Sequence, residues 1–91
     1  METLEDIRSE TRKIDDQLIE LIFKRTELGE KALELKRKQK LELYDEKHIF
    51  EVLRRAEDEA KKRGLDPKLL KKIFETLIEM RMTKELRKIV E

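Results

Sequence analysis

Arg25 and Lys36 are spaced as if to bind one small dianion, which Arg8 could reach only from a second chain. Taken alone, Arg8 or Lys36 would more simply lie on a solvated helix face. Arg25 and Lys36 are 11 residues apart in sequence, which is close to three helical turns. On a helix they would share one face, about 16 Å apart along the axis, and their side chains could converge on a ligand between them. Arg8 would lie about 25 Å from Arg25 on the same helix, too far to reach that ligand. If two copies of the helix pair antiparallel, Arg8 of one copy lies beside the Arg25–Lys36 stretch of the other.

Arg25 also interrupts an apolar stripe whose residues alternate in spacing between three and four, as in the seam of a packed helix. The stripe comprises Leu4, Ile7, Thr11, Ile14, Leu18, Leu21, Arg25, Leu28, Ala32 and Leu35. Arginine stays ionised in proteins, and an unpaired buried ion costs several kcal/mol. A core-facing Arg25 therefore needs a carboxylate, either from a ligand or from an acid of the protein such as Glu85.

Further polar residues lie at the edges of apolar faces in the C-terminal half. Arg81 and Glu85 continue an apolar i, i+4 row, so they either pair with each other on the surface or line a polar pocket. His48 is the only histidine and lies close to Asp45. A lone histidine at a helix start is more often structural than catalytic.

The composition excludes several kinds of chemistry. There is no cysteine, so disulfides and thiolate metal sites are impossible. No histidine and carboxylate cluster has metal-ligand spacing, and there is no glycine-rich phosphate loop. Ser9 is the only serine, which leaves no Ser-His-Asp constellation. These residues favour catalysis by shape and charge on a small-molecule substrate, without metal or cofactor.

Charge and hydropathy indicate which classes of partner the protein binds and in which compartment it lies. The net charge is only +1 although 49% of residues are charged, which argues against nucleic acid as a partner. The basic cluster at residues 36–40 suits the negative end of a long helix. No apolar run is long enough for a membrane span or signal peptide, so we expect a soluble cytoplasmic protein. Abundant Glu and Lys with little Asn or Gln is typical of thermophile proteins.

The periodicity predicts an all-α chain of three helices in one domain over residues 1–91. The expected bounds are Thr3 to about Lys40 for the first helix, with Asp6 completing a capping box; Asp45 to Gly64 for the second; and Asp66-Pro67 to the C-terminus for the third. The expected apolar faces are Ile49, Val52, Leu53, Ala56 and Ala60 on the second helix, and Leu70, Ile73, Phe74, Leu77 and Ile78 on the third.

The length of the first helix predicts an assembly. At about 1.5 Å per residue it would be nearly 60 Å long, whereas a compact monomer of this size has a radius of gyration near 12 Å. Two shorter helices of the same chain cannot cover so long a stripe. We therefore expect an obligate, intertwined homodimer in which the first helices pair.

The sequence resembles the all-helical (AroQ-class, type II) chorismate mutases over essentially its whole length. The likeness is most specific in the first helix, through Ile7-Arg8, Lys13-Ile14-Asp15, Lys24-Arg25-Thr26-Glu27-Leu28, Lys36 and Tyr44-Asp45. It extends more weakly to the Gly64-Leu65-Asp66 turn and to Ile73-Phe74 and Leu77-Ile78-Glu79.

This resemblance implies an intertwined dimer with two equivalent active sites, each converting chorismate to prephenate by a Claisen rearrangement, without cofactor. By position, Arg25 and the partner chain's Arg8 would bind the two substrate carboxylates. Lys36 would stabilise negative charge on the ether oxygen as the C–O bond breaks, and Asp45 would contact the substrate hydroxyl.

The chain departs from the family pattern at the far wall of that site. Where the family has Arg-Glu after the aspartate, this chain has His48 and Ile49, and the neighbouring Lys47 is a second candidate for the missing cation. Where the family often has a small polar residue and then Gln, this chain has Arg81 and Glu85. Arg81 could bind a carboxylate in place of the missing arginine. Glu85 could donate to the ether oxygen only when protonated; a nearby Arg81 would lower the pKa of Glu85 and burial would raise it.

Two other functions fit the same sequence. A lyase on this scaffold, eliminating pyruvate from isochorismate, would use the same cationic pocket because both reactions break the same ether bond. A non-catalytic helical dimerisation module would explain the heptads and the charge content, but would explain Arg25 only by an internal ion pair.

Overall fold

The computed structural model describes residues 2–90, and side chains through Thr83. It contains three α-helices, Leu4–Lys38 (α1), Glu46–Lys62 (α2) and Pro67–Val90 (α3). No strand occurs within residues 2–90. The expected all-α architecture of three helices is thus confirmed. None of the described helices is both long and apolar enough to cross a membrane.

The start of α1 is fixed by the expected capping box. Thr3 Oγ1 accepts from the Asp6 amide at 3.1 Å, and Asp6 Oδ2 accepts from the Thr3 amide at 3.0 Å. Hydrogen bonding of the Asp6 carboxyl to the Thr3 backbone amide, and second to the Thr3 side chain, lowers the pKa of Asp6. A carboxyl whose pKa is lowered by folding stabilises the folded state above its unfolded-state pKa. The cap is therefore lost only as the pH falls through the lower, folded-state value.

The end of α1 lies two residues before the expected Lys40. The Leu41 amide donates to the Lys36 carbonyl at 2.9 Å and the Lys40 amide to the Arg37 carbonyl at 3.2 Å, which is a Schellman motif. Lys40 takes the left-handed conformation, with φ 56°. Glycine normally occupies this position, since a Cβ is unfavourable there. Lys40 therefore carries local strain at the point where the chain turns towards α2.

Replacing Lys40 with glycine is expected to stabilise the protein by about 0.5–1 kcal/mol, because glycine tolerates this conformation without the Cβ penalty. The measurement is denaturant unfolding at one fixed protein concentration. Gly64→Ala is the matched comparison, since Gly64 ends α2 in a similar motif with φ 70°. It should destabilise by roughly 1 kcal/mol. Equal signs for the two substitutions would contradict this account of Lys40.

α2 and α3 form an antiparallel pair joined by a short turn. α2 ends at Lys62, two residues before the expected Gly64, which follows the helix with a positive φ. Asp66 Oδ1 caps α3 by accepting from the Lys68 and Leu69 amides at 2.9 and 3.2 Å. Ala56 and Ala60 are buried, and their small side chains let the two helices approach closely. An ion pair from Lys71 to Glu57 at 3.7 Å also joins them. Ile73, expected on the apolar face, is exposed.

α1 contacts α3 and not α2, and only its C-terminal half is covered. Its partly or fully buried residues there are Ile22, Arg25, Thr26, Gly29, Glu30, Leu33 and Lys36. Residues 2–21 are exposed throughout. The apolar stripe of α1, apart from Arg25, is therefore uncovered in the single chain; Leu4, Ile14, Leu21 and Leu28 are each more than 60% exposed. The radius of gyration is 16.6 Å and the longest dimension 58 Å, so the single chain is elongated.

Candidate active site

Arg25 is the one member of the apolar stripe that is partly covered within its own chain. It lies where α1 crosses α3, with its guanidinium carbon 5.7 Å from the centre of the Phe74 ring. This cation–π contact holds the side chain against α3 and is worth about 0.5–1 kcal/mol at partly exposed sites. The contact fixes the position of the charge but does not neutralise it.

A second arginine lies close to the first. Arg81 is two turns beyond Phe74 on α3, and burial together with the Arg81 charge lowers the pKa of Arg25. The Arg81 Nε is buried and has no hydrogen-bond partner among the described residues. The charge repulsion at Arg25 and the unpartnered Nε of Arg81 both destabilise the folded chain on its own. A bound anion would relieve both. We call Arg25 and Arg81 the arginine pair.

The arginine pair has no counter-ion in the part of the chain whose side chains are described. None of the ion pairs there includes Arg25 or Arg81. The sequence also allows an internal ion pair between Arg25 and Glu85. The Glu85 side chain lies outside the described residues. The pair can therefore accept a ligand that carries carboxylates, since guanidinium groups bind carboxylates in bidentate geometry.

Gly29 lies directly under Arg81. A Cβ added to Gly29 would be 2.8 Å from Arg81 Cγ and closer still to Cδ, nearer than such atoms can approach. The bare backbone of α1 at this point thus accommodates the stem of Arg81. Sequence reasoning gave Gly29 no role, although a glycine inside a long helix is itself a signal because it is unfavourable there.

The other expected residues take varied positions. Lys36 is partly buried on the face of α1 that meets α3. Asp45 caps α2, with Oδ1 accepting from the His48 amide at 3.1 Å. His48 is exposed in the first turn of α2. The structure therefore brings Arg25 and Arg81 together and places Asp45 and His48 at the start of α2.

Arg8 is fully separate from these residues within one chain. It is exposed near the start of α1 and makes a surface ion pair with Glu5 at 3.3 Å. Exposed pairs of this spacing contribute only a few tenths of a kcal/mol. Arg8 is therefore available to another ligand at little cost.

Arg25 also lines a cleft of about 680 Å³ between the helices. Among the residues that line it, the sequence predicts a functional role for Arg25 alone. Its other lining residues are Val52, Arg55, Ala56, Glu59, Arg63, Leu65, Leu70 and Phe74. Glu59 is already paired with Arg63 at 3.7 Å. The cleft combines apolar walls with cationic edges, and no period in the sequence marks it because it depends on how α2 packs against α3.

Comparison with known protein families identifies the family of this chain. A family model described as chorismate mutase type II matches residues 7–86. No curated protein and no solved structure gives a match. The family match covers most of the chain, including most of α1, all of α2 and the described side chains of α3. The three-helix architecture agrees with it. The chain therefore belongs to the type II chorismate mutase family.

Proposed function

We propose that this protein is a chorismate mutase that converts chorismate to prephenate in aromatic amino-acid biosynthesis. The family supports an isomerase of this kind. The observation that carries the proposal for this chain is the arginine pair, two guanidinium groups brought together without a counter-ion among the described side chains. Chorismate carries two carboxylates and would supply the missing negative charge. Family membership and unsatisfied charge thus point to one ligand.

The reaction needs a site that orients its substrate more than one that attacks it. The rearrangement breaks a C–O bond and forms a C–C bond within one molecule, so no nucleophile or cofactor is required. Fixing the folded substrate conformation and stabilising charge on the ether oxygen supply the acceleration. We propose that Arg25 and Arg81 hold carboxylate groups, that Lys36 faces the ether oxygen, and that Asp45 contacts the substrate hydroxyl. His48 would lie at the edge of the site.

The site would be completed by a second copy of the chain. The uncovered apolar stripe of α1 supports an intertwined homodimer, because so many exposed leucine and isoleucine side chains are unfavourable in water. In antiparallel pairing, Arg8 of the partner reaches the site that its own chain cannot reach. We propose two equivalent sites per dimer, each with Arg8 from one chain and Arg25, Lys36 and Arg81 from the other.

We propose that Glu85, whose side chain lies outside the described residues, must be protonated for the reaction and so gives it a pH dependence. A neutral carboxyl donates a hydrogen bond to the ether oxygen and an ionised one repels it, so kcat/KM should fall as the pH rises through the pKa of Glu85. Glu85→Gln should remove this fall and raise kcat/KM at pH 8, since an amide donates at every pH. The pH profiles of the two proteins from pH 5 to 9 make the comparison. A wild-type profile that is flat, with the variant no more active at pH 8, would count against a donor role.

The deciding experiment follows chorismate and isochorismate separately with the purified protein. Formation of prephenate from chorismate supports the mutase. Release of pyruvate and salicylate from isochorismate, with chorismate unchanged, would assign the lyase reaction. If neither substrate is consumed and neither raises the melting temperature, a dimerisation module is the better account, since a ligand that binds only the native protein must stabilise it.

A further inference from the structure

Gly29 stands out because a glycine occupies the interior of a 35-residue helix. Every residue except proline is more favourable there. The usual reasons for glycine do not apply, since Gly29 lies within regular helix and is not among the residues with positive φ. The remaining reason is close approach of another group, and that group is Arg81.

The contact is with the stem of Arg81 and not with its charged end. A Cβ on Gly29 would be 2.8 Å from Arg81 Cγ and 3.7 Å from Nε, with Cδ nearest of all. The first atoms of a side chain cannot swing aside as its far end can, since they are tied to the α3 backbone. Any side chain at residue 29 would thus force Arg81 into another rotamer.

The position of that stem determines where the charge lies. With the stem across Gly29, the Nε of Arg81 is buried and its guanidinium lies near Arg25, which is one helical turn before Gly29 on α1. A rotamer that avoids residue 29 would carry the guanidinium away from Arg25 and expose Nε to water.

We propose that Gly29 is a positioning residue: it provides the gap in α1 through which Arg81 reaches the arginine pair and binds a substrate carboxylate. This rests on the proposed function for the identity of the ligand. The gap itself rests on the packing of α1 against α3 alone. Gly29 and Arg81 then act together: Arg81 reaches its position only because residue 29 is glycine, and the glycine has this role only because residue 81 is arginine.

The test is a double-mutant cycle of Gly29→Ala, Arg81→Ser and the two combined, with kcat and KM for chorismate. Gly29→Ala should raise KM roughly ten- to hundredfold, the factor that one hydrogen bond to a charged group contributes. Arg81→Ser should raise it similarly. The combined variant should be no worse than Arg81→Ser alone, because the alanine then meets no side chain. Lys31→Ala, at an exposed position of the same helix, is the control and should leave KM unchanged.

A second readout does not depend on the reaction. In ¹⁵N NMR the Nε–H of Arg81, assigned by its loss in Arg81→Ser, should exchange slowly with water in the wild type and rapidly in Gly29→Ala. If the wild type leaves chorismate unchanged, the proposed function fails, while this signal still decides the role of Gly29. Should Gly29→Ala fail to fold while the combined variant folds, the clash with Arg81 is supported.

Three results would overturn the proposal. One is that Gly29→Ala raises KM for chorismate by the same factor whether residue 81 is arginine or serine. Another is a slowly exchanging Arg81 Nε–H in Gly29→Ala. The third is failure of the combined variant to fold, since Gly29 would then be required for something other than Arg81.

Discussion

Arg25→Met is expected to reduce kcat/KM by about 10³-fold or more while raising the melting temperature by a few degrees. The loss is expected because, in the proposed site, the Arg25 charge binds a substrate carboxylate where water is partly excluded. The gain follows because burial and Arg81 both disfavour the Arg25 cation in the chain alone. A group whose protonated form is disfavoured by folding destabilises the native state at every pH where it is charged. Methionine has a similar length, carries no charge and can still pack against Phe74.

Two comparisons separate this expectation from a general effect of losing an arginine. Arg12→Met removes an exposed arginine from the same helix, and should change neither activity nor melting temperature appreciably. Arg25→Lys keeps the charge but not the planar fork, so its activity should be low with a melting temperature near that of the wild type. If Arg25→Met instead lowers the melting temperature sharply, Arg25 is part of an internal ion pair and the dimerisation module gains support.

Mixing two inactive variants is expected to restore about a quarter of wild-type activity. Arg8→Ala and Arg25→Ala should each be nearly inactive alone, because each would remove a carboxylate contact from both sites of the proposed dimer. In a mixed dimer one site receives both defects and the other receives neither. Random pairing makes half of the dimers mixed, and each has one intact site of two, hence the quarter. The variants are unfolded together, refolded, and assayed with chorismate.

Arg25→Ala mixed with Lys36→Ala is the matched control. These two residues are proposed to belong to the same chain's site, so every site in a mixed dimer keeps one defect. No activity should return. Recovery in both mixtures, or in neither, would contradict a site shared between chains in the proposed way.

The parts of this structure that the sequence predicts are those determined within a few residues. The Thr3–Asp6 box, the Asp45 cap and the Asp66-Pro67 start each depend on hydrogen bonds that span three residues or fewer, so residue type reveals them. The sequence does not predict the turn that ends α1, because Lys40 adopts a left-handed conformation that glycine normally takes. Lysine at this position gives no indication in the sequence that its backbone is left-handed.

The candidate site was predictable only where it breaks a pattern. Arg25 was found because it interrupts an apolar period. Its closeness to Arg81, and the gap at Gly29 that permits it, depend on where α1 crosses α3, and no spacing along either helix encodes a crossing point. The sequence left open whether Arg81 lies on the surface or in a pocket. The structure places it partly buried against α1, with a buried Nε.

The uncovered first half of α1 has a consequence for how the chain reaches its native state. Residues 2–21 have little to pack against in their own subunit, and helices without tertiary contacts are only marginally stable in water. In the proposed dimer this half folds when it meets its partner, so the slow step of folding becomes a collision between two chains. Its rate then depends on protein concentration, as it does for other obligate dimers. Exchange of subunits between finished dimers would in turn require partial unfolding.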